Sequence, residues 1–463
     1  MTQPHTDPKK TIVFTIEIKN RELIPKCLLA YFFAQAGFRV YIGTFRSVNE
    51  LRHRFKNVVF LHKSGYGRRA PGFKRSMTEH FCVLDEEMGA ALIPSRLREI
   101  FEIRYSDFSS PTYDSVLTLN ETHKEVLSRM PNMKGIDIQA TGWPRVDLWR
   151  PDFIPIYETR VSALKEALGD FTLFVSSFGA TSSKVYSKLR RSTTSQIERD
   201  YLDATEAAFT AYIELLRYLD KRITHCIVVR PHNGESSKDW EDILCGCNNI
   251  RVISDGDVTP WVLAAKRVLT YRSTVALQAA LAGVPVVQFQ VSDLDGKGEV
   301  PVYLVSECLN ERDAVFATLE RPVAPEEREL TRTRARAVLQ EHLGEPSGPL
   351  ACERIVSYFH TVPCSKSPPI QPTALERSVF KAWHLIKYLE HLALKPFRRL
   401  LSRHFPPYRL DRFEKVPGGI QATEVQALLE KISIGHCRNN AATLACYNVS
   451  NNLVCLESTK PSQ

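Results

Sequence analysis

Two apolar runs of the sequence end on residues that could bind a phosphate. The run "HCIVV" ends on Arg230 and His232, and "RVLTY" leads to Ser273 and Thr274, just before the small-residue stretch "VALQAALAG". An imidazole, hydroxyls and the first N–H groups of a helix can all donate hydrogen bonds to phosphate, and a guanidinium adds a charge-assisted one. We therefore expect both strand ends to face one phosphate-bearing ligand. In the alternative, structural interpretation the histidine only shapes a turn and the hydroxyls only cap a helix.

Three consecutive acids form a second candidate group. Asp85, Glu86 and Glu87 directly follow the apolar stretch "FCVL". A carboxylate at a strand end could remove a proton from an acceptor hydroxyl, and crowding of like charges raises the pKa of one such group toward neutrality. The alternative interpretation is a solvated acidic turn.

Further charged candidates follow other apolar runs. Glu17 and Arg21 come after "TIVFTI", and Arg145 lies in "TGWPRVDLWRP". The sequence contains no dinucleotide fingerprint, phosphate loop, serine-hydrolase elbow or zinc-protease motif, which argues against those enzyme classes. The eleven cysteines are scattered without paired C-x-x-C motifs, so we expect no metal.

Short β-branched runs alternate with helical stretches at α/β spacing. "TIVFTIEI", "FRVYIGT" and "NVVFLH" read as strands, with "ELIPKCLLAYFFAQAG" as the helix between the first two. The rhythm breaks at "TGWPRVDLWRPDF" and then restarts with "FTLFVSSFG" and "HCIVVRPH". We expect an α/β protein with two Rossmann-like domains, 1–155 and 156–363, whose parallel sheets face a cleft with the carboxyl ends of their strands.

Residues 364–463 differ in character and predict a C-terminal helical extension. A Pro/Ser-rich linker precedes a basic amphipathic helix candidate, in which Val379, Trp383, Ile386 and Leu389 recur at helical spacing. Such a helix could lie on an anionic membrane surface through residues 375–405, or pack on its own domain. Residues 416–463 carry no clear pattern, and we expect a poorly ordered tail there.

The composition is that of a soluble globular protein of moderate positive charge. Of 463 residues, 43% are hydrophobic and 24% are charged, and the formal net charge is +9. The start "MTQPHTDPKK" lacks the apolar core of a signal peptide, and no long apolar run predicts a membrane span. We expect a cytoplasmic protein, with peripheral attachment to the inner face of the plasma membrane as a further hypothesis. The positive charge clusters without a recognition motif, so nucleic acid is not an expected partner.

Several segments together resemble a bacterial family of surface carbohydrate biosynthesis proteins, which look like GT-B glycosyltransferases. The segments are "EIKNREL", "VLDEEMG", "TGWPRVDLWRPD", "VRPHNGE", "DGDVTPWVLAA" and "STVALQAALAGVPVVQF". The resemblance covers about residues 11–300 and implies two Rossmann-like domains, with a nucleotide-sugar held mainly by the second.

A more distant resemblance links the acidic turn and the histidine turn to bacterial sialyltransferases and capsule Kdo transferases, which use CMP-sugars. It implies that Asp85, Glu86 or Glu87 is the base. It also implies that His232, Ser273 and Thr274 bind the nucleotide phosphate. The sequence departs from the family pattern at Met88, at Asn233 where proline is usual, and at Gln278 where glutamate is usual.

Together these features predict a metal-independent glycosyltransferase of surface polysaccharide synthesis, for capsule or lipopolysaccharide. Its expected partners are a nucleotide-sugar donor, with a CMP-sugar favoured, and a glycan or lipid-linked glycan acceptor. No cofactor is expected, because the nucleotide-sugar is itself a co-substrate. Two alternatives stay open: a CDP-polyol phosphotransferase of the teichoic-acid type, and a non-catalytic GT-B-like binding or assembly protein.

Overall fold

The computed structural model forms two compact units. Unit 1 comprises Met1–Ile156, His342–His391 and Arg412–Gln463, and unit 2 comprises Tyr157–Glu341 and Leu392–Asp411. The described residues are 9–51, 54–55, 58–62, 78–84, 86, 97–105, 113–179, 196–232, 235–291, 300–342, 348–362, 372–376, 378–379, 381–383, 385–386, 389, 393, 416, 418–435 and 444–459. Asp85, Glu87, Met88 and Asn233 therefore lie outside the described residues.

The strands run in chain order through both units. They are β1 Thr11–Ile16, β2 Arg39–Thr44, β3 Val58–His62, β4 Thr78–Leu84, β5 Ser115–Thr118, β6 Asp137–Ala140, β7 Phe171–Val175, β8 Cys226–Arg230, β9 Ile250–Val252, β10 Arg267–Thr270, β11 Val286–Phe289, β12 Glu307–Leu309, β13 Leu444–Ser450 and β14 Leu453–Ser458.

The helices alternate with these strands. They are α1 Lys19–Gln35, α2 Phe45–Glu50, α3 Leu97–Arg104, α4 Glu121–Ser128, α5 Pro144–Asp147, α6 Glu158–Leu168, α7 Gln196–Asp220, α8 Ser237–Ile243, α9 Thr259–Ala264, α10 Val275–Leu281, α11 Pro301–Leu304, α12 Arg312–Glu320, α13 Pro325–His342, α14 Ala351–Thr361 and α15 Ala422–Gly435. Short 3₁₀ turns lie at Pro131–Met133 and Pro151–Tyr157.

Unit 1 is built on an eight-stranded sheet in the order β13-β14-β2-β1-β3-β4-β5-β6. Among the six strands β1–β6, every neighbouring pair is parallel. Every residue of β1 is buried, as expected of a central parallel strand covered on both faces by helices. The strand order reverses between β1 and β3, because β2 lies on the opposite side of β1.

Unit 2 is built on a six-stranded parallel sheet in the order β12-β11-β10-β7-β8-β9. Counted within the unit, this is the Rossmann order 3-2-1-4-5-6, with the reversal between β7 and β10. The prediction of an α/β protein with two Rossmann-like units is confirmed by these sheets.

The C-terminal part of the chain corrects the expectation of a poorly ordered tail. The hairpin β13–β14 extends the sheet of unit 1, because β14 pairs antiparallel with β2. Its turn approaches Gly43 so closely that a Cβ there would lie 2.6 Å from Leu453 Cδ1, which explains the glycine. The sheet is therefore mixed. The alternation in "LACYNVSNNLVCLES" is too weak to predict this pairing from sequence.

A buried ion pair fastens this hairpin to β2. Arg39 Nε donates to Glu457 Oε2 at 2.9 Å, and the exposed fractions of the two side chains are 0% and 2%. Removing one partner of a buried pair leaves an uncompensated charge in the interior, which costs far more than the pair itself contributes.

Replacing Glu457 by leucine is therefore expected to lower the free energy of unfolding of unit 1 by about 3–5 kcal/mol, measured by urea unfolding. The double variant Arg39→Met/Glu457→Leu should recover most of this loss. The control is Glu102→Gln, which breaks the exposed pair with Arg98 and should change stability by less than about 0.5 kcal/mol. Equal losses of stability for Glu457→Leu and Glu102→Gln would show that the buried ion pair matters no more for stability than the exposed one.

Candidate functional site

In unit 1, buried charges gather where β1 ends and α1 begins. Lys26 Nζ lies 3.3 Å from Glu22 Oε2 and also donates to the backbone oxygen of Thr15 in β1. The same Glu22 oxygen accepts from the backbone N–H of Glu17 at 2.8 Å. These bonds lock the first turns of α1 to the carboxyl end of β1. Both Glu22 and Lys26 are almost fully buried, which is unusual for charged side chains.

A proline in α1 explains the position of Arg145. Pro25 has no N–H and therefore cannot donate to the backbone oxygen of Arg21, four residues earlier. Arg145, at the second position of α5, donates from its guanidinium to this oxygen at 2.9 Å. The three sequence-predicted candidates Glu17, Arg21 and Arg145 are thus brought to one end of the unit 1 sheet.

Glu86 is the predicted acid whose surroundings the structure describes. It follows β4, its backbone N–H donates to Leu84 O at 3.0 Å, and its side chain is only 5% exposed. Oε1 has no hydrogen-bond partner among the described residues. Burial raises the pKa of this carboxyl above its ordinary value, while the positive charges of Lys26 and Arg145 oppose the rise. A buried carboxyl with a raised pKa and an unused oxygen has the properties of a general base.

A small pocket connects Glu86 to the reversal of strand order. It opens at the carboxyl halves of β1, β3 and β4, beneath α1. The lining residues are Phe14, Lys26, Leu29, Leu61, His62, Leu84 and Glu86. In open α/β sheets ligands bind at the carboxyl ends of strands, beside the reversal, and this pocket lies at that place. Among the described residues, no group of three His, Cys, Asp or Glu side chains is arranged to hold a metal ion.

In unit 2, the buried carboxylate of Glu235 joins the ends of β7 and β8. Oε1 accepts from Ser176 Oγ at 2.8 Å and from Gly179 N at 2.7 Å. Oε2 accepts from the backbone N–H of His232 at 3.1 Å and from Trp240 Nε1 at 2.7 Å. The side chain therefore satisfies donors on both strand ends and on α8. Its effect is to fix the backbone of His232 while the imidazole remains exposed.

The ends of β7 and β10 are joined across the reversal of strand order. Ser177 Oγ donates to the backbone oxygen of Tyr271, one residue beyond β10. The next residue, Arg272, has a φ of 49°, in the left-handed region that side chains other than glycine rarely adopt. Its N–H donates to the buried side-chain oxygen of Gln288 at 2.9 Å, which holds the strained turn.

The strained turn presents two hydroxyls before α10. Ser273 Oγ accepts from the N–H of Val275 at 3.3 Å, so Ser273 acts as the cap. Thr274 has helical φ and ψ and makes no side-chain cap bond. His232 and Ser273 consequently lie on one edge of the sheet, linked by Glu235, the β7 turn and Tyr271.

Arg230, a predicted phosphate ligand, and Gln278, at a position that the family resemblance assigns to nucleotide binding, have partners within unit 2. Arg230 is buried and donates from both terminal nitrogens, at 2.8 Å each, to the backbone oxygens of Asp255 and Gly256. Burial lowers the pKa of its guanidinium to about 10, so it stays charged near neutral pH. Gln278 is also buried, and its amide nitrogen donates to Thr259 Oγ1 at 2.8 Å. Both side chains hold neighbouring elements in place. Their contact with a nucleotide stays a prediction.

The residues whose hydrogen bonds hold both sites together were not among the sequence-predicted candidates. Glu235 ends the quoted motif "RPHNGE", and Ser176 and Ser177 end the run "FTLFVSSFG". Hydroxyls and a glycine after an apolar strand are a usable signal, because they mark a polar turn at the carboxyl end. Glu22 and Lys26 lie in a stretch that was predicted to be helical. Their i,i+4 spacing there is typical of an exposed ion pair, so it did not predict their burial.

Comparisons with known proteins bear on this chain only weakly. No protein-family model and no curated protein matches it. Among solved structures, the wall teichoic acid polymerase TagF, as a variant soaked with CDPG, is 14% identical; the match covers 78% of this chain and 89% of TagF, with a TM-score of 0.44. MnaA from S. aureus with UDP is 13% identical, covering 79% and 100%, with a TM-score of 0.43.

A third structure is a putative UDP-N-acetylglucosamine 2-epimerase from Listeria monocytogenes, 14% identical, with coverages of 79% and 100% and a TM-score of 0.45. These identities and TM-scores are too low to carry a conclusion. The class of the protein therefore rests on its own sheets, which define an α/β protein of two Rossmann-like units. Each unit carries a polar or charged site at its reversal of strand order.

We expect Glu235→Gln to destabilise unit 2 by about 2–4 kcal/mol. Both oxygens of Glu235 accept from donors, so in either orientation the NH₂ group of a glutamine would face N–H groups and lose two hydrogen bonds. Chemical unfolding followed by tryptophan fluorescence would measure this change. The matched control, Ser176→Ala, removes one of the four donors and should cost about 1 kcal/mol. A loss for Glu235→Gln no larger than for Ser176→Ala would show that the carboxylate is not the organising group.

Proposed function

We propose that the protein is a glycosyltransferase that moves a sugar from a nucleotide-sugar to a glycan acceptor in bacterial surface polysaccharide synthesis. The observation that carries the proposal is the buried carboxyl of Glu86, which has an unused oxygen beside a pocket at the reversal of strand order in unit 1. The sequence resemblance to surface carbohydrate biosynthesis proteins supports the choice of substrate class.

Unit 2 is proposed to bind the nucleotide. Its phosphate would contact the exposed imidazole of His232 and the hydroxyls of Ser273 and Thr274, which lie on the same edge of the sheet. Arg230 and Gln278 are left out of these contacts, because both side chains are buried and donate to groups within the unit. A CMP-sugar is the favoured donor, on the resemblance to sialyltransferases and Kdo transferases.

Unit 1 is proposed to activate the acceptor. The Glu86 carboxylate would take the proton of the acceptor hydroxyl as that oxygen forms a bond to the anomeric carbon. The bond from this carbon to the phosphate oxygen breaks, and its electron pair leaves with CMP. Hydrogen bonds from His232 and the two hydroxyls would stabilise the charge on the departing phosphate, so the proposed reaction needs no metal. The positive charges of Lys26 and Arg145 lower the pKa of Glu86 and so oppose the effect of its burial.

The proposed location is the cytoplasm, with peripheral attachment to the inner face of the plasma membrane. The acceptor in this proposal is a glycan of capsule or lipopolysaccharide, and a lipid-linked glycan would be met at that surface.

His232→Ala is expected to weaken nucleotide binding about tenfold while changing the unfolding temperature of the free protein little, because His232 is exposed and the variant keeps the backbone N–H that donates to Glu235. Thermal shift with CMP, CDP and UDP would measure binding, since a ligand of the folded state raises the unfolding temperature. Stabilisation by CDP-glycerol but by no CMP-linked sugar would favour a polyol-phosphate transferase.

The control for this variant is Lys221→Ala, which removes an exposed cation between α7 and the amino end of β8. It should leave the nucleotide shift unchanged. If no nucleotide stabilises the unaltered protein, the proposed donor site is wrong and a non-catalytic role gains support.

Glu86→Gln is expected to reduce the rate of sugar transfer by about 10²–10⁴-fold, because an amide cannot accept the acceptor's proton. Nucleotide binding should persist, since Glu86 belongs to unit 1. Radiolabelled transfer from a CMP-sugar to polysaccharide fragments would measure the rate. Glu102→Gln, an exposed acid of the same unit, serves as the control.

The pH dependence supplies a second test of Glu86. A base works only when ionised, and the pKa of Glu86 is raised above 4.5, so activity should fall with acid at a pH above the ordinary carboxyl range. Arg145→Gln removes a positive charge that lowers this pKa, and the acid limb should move to higher pH. A limb that stays in place, or moves to lower pH, would exclude Glu86 as the titrating base.

A further inference from the structure

Arg272, in the turn after β10, has a backbone conformation that its side chain makes unfavourable. Its φ of 49° lies in the left-handed region, where a Cβ crowds the backbone and glycine or asparagine is the usual residue. The buried side chain of Gln288 holds this conformation, because it accepts from the Arg272 N–H at 2.9 Å and donates to the backbone oxygen of Val302 at 2.9 Å. Glycine would form the same turn without strain, so the shape of the turn does not explain an arginine. Strained residues of this kind gather at ligand-binding sites.

The register of the sheet places Arg272 and His232 on opposite sides of β7. Val175, the last residue of β7, lies opposite Arg230 of β8 and Thr270 of β10. His232 and Arg272 each follow this row by two residues. Neighbouring strands are about 4.8 Å apart, so the two chains leave the sheet about 10 Å from each other. A phosphate over the end of β7 would therefore be within reach of both an imidazole and the longer guanidinium side chain.

Without Arg272, the proposed phosphate site has no permanent positive charge. Ser273 and Thr274 offer neutral hydroxyls, and an imidazole is charged only when it is protonated. Arg230, the cation predicted from the sequence, is buried and donates to backbone oxygens of its own unit. Arg272 is only half-buried. It is the one Lys or Arg in the described parts of the turns after β7, β8 and β10, which are residues 176–179, 231–232, 235–236 and 271–274.

We propose that Arg272 binds the phosphate of the donor nucleotide, across β7 from His232, and supplies the positive charge of the site. The inference rests on the proposed nucleotide site of unit 2 and adds to it a residue that was not among the sequence-predicted ligands. A guanidinium can donate two parallel hydrogen bonds to the oxygens of one phosphate. In the proposed transfer, the phosphate gains one negative charge as its oxygen separates from the anomeric carbon. A cation on a turn that Gln288 already fixes stabilises this charge without reorganisation.

The test compares the binding of CMP with that of cytidine, which lacks the phosphate, by titration calorimetry of the full-length protein. We expect Arg272→Ala to weaken CMP binding at least about tenfold and to leave cytidine binding unchanged, because the lost contact is to the phosphate. Arg272→Lys should restore part of the affinity for CMP, since it keeps the charge but not the paired geometry. The control Arg251→Ala removes an exposed arginine of β9 and should bind CMP like the unaltered protein.

A second variant, Arg272→Gly, separates binding from folding. Glycine adopts a φ of 49° without strain, so the unfolding temperature of the free protein should change little, while CMP binding should fall as it does in Arg272→Ala. Full CMP binding by either variant would overturn the proposal. Equal weakening of CMP and cytidine in Arg272→Ala would also overturn it, because Arg272 would then serve only the shape of the turn.

Inorganic pyrophosphate distinguishes failure of this inference from failure of the proposed function. If the unaltered protein binds CMP and Arg272→Ala binds it equally well, the proposed nucleotide site stands and the role of Arg272 is wrong. If the unaltered protein binds pyrophosphate but no nucleotide, and Arg272→Ala weakens that binding, the anion site stands and the proposed donor is wrong. Binding of neither compound would overturn both.

Discussion

The position of both candidate sites follows from one constraint on a parallel sheet, the reversal of strand order beside its first strand. The connections that follow the two strands at the reversal run in opposite directions, so their loops diverge and a crevice opens between them at the carboxyl edge. In unit 1 the reversal lies between β1 and β3, where the Glu86 pocket opens. In unit 2 it lies between β7 and β10, where Ser177 bonds to Tyr271.

The buried carboxyl groups of the two sites differ in how many hydrogen bonds they accept. Burying a carboxylate is unfavourable unless hydrogen-bond donors or opposite charges replace its water. Glu235 receives four donors, so it stabilises the ends of β7 and β8 as a rigid frame. Glu86 has an oxygen that accepts no hydrogen bond from the described residues, and the positive charges of Lys26 and Arg145 offset part of the cost of burying it. The bonds of Glu235 fix the backbone at the ends of β7 and β8, whereas Glu86 keeps an oxygen that could accept a proton.

Sequence patterns predicted the strands and the polar residues that follow them, because burial on both faces leaves an unmistakable apolar run, as in β1 and β7. They could not predict partners. Whether Arg230 meets a phosphate or the oxygens of Asp255 and Gly256 depends on a turn brought close only by folding. The hairpin β13–β14 was missed for a related reason. Its pairing with β2 spans most of the chain, and the ion pair that fastens it, Arg39 with Glu457, has no local signature.

The division of labour implied by these contacts suits group transfer. A leaving phosphate is best held by donors already fixed in place, since fixed donors need no reorganisation as charge develops. The turns after β7, β8 and β10 meet that need because Glu235 and Gln288 hold their backbones. Removal of a proton from an acceptor hydroxyl instead needs a base with a raised pKa. This base must also keep an oxygen that is not occupied by a permanent hydrogen bond. Pro25 contributes to this condition indirectly. Because Pro25 cannot donate to the Arg21 oxygen, that oxygen can accept from Arg145, whose positive charge lowers the pKa of Glu86. Oε1 of Glu86 accepts no hydrogen bond from the described residues.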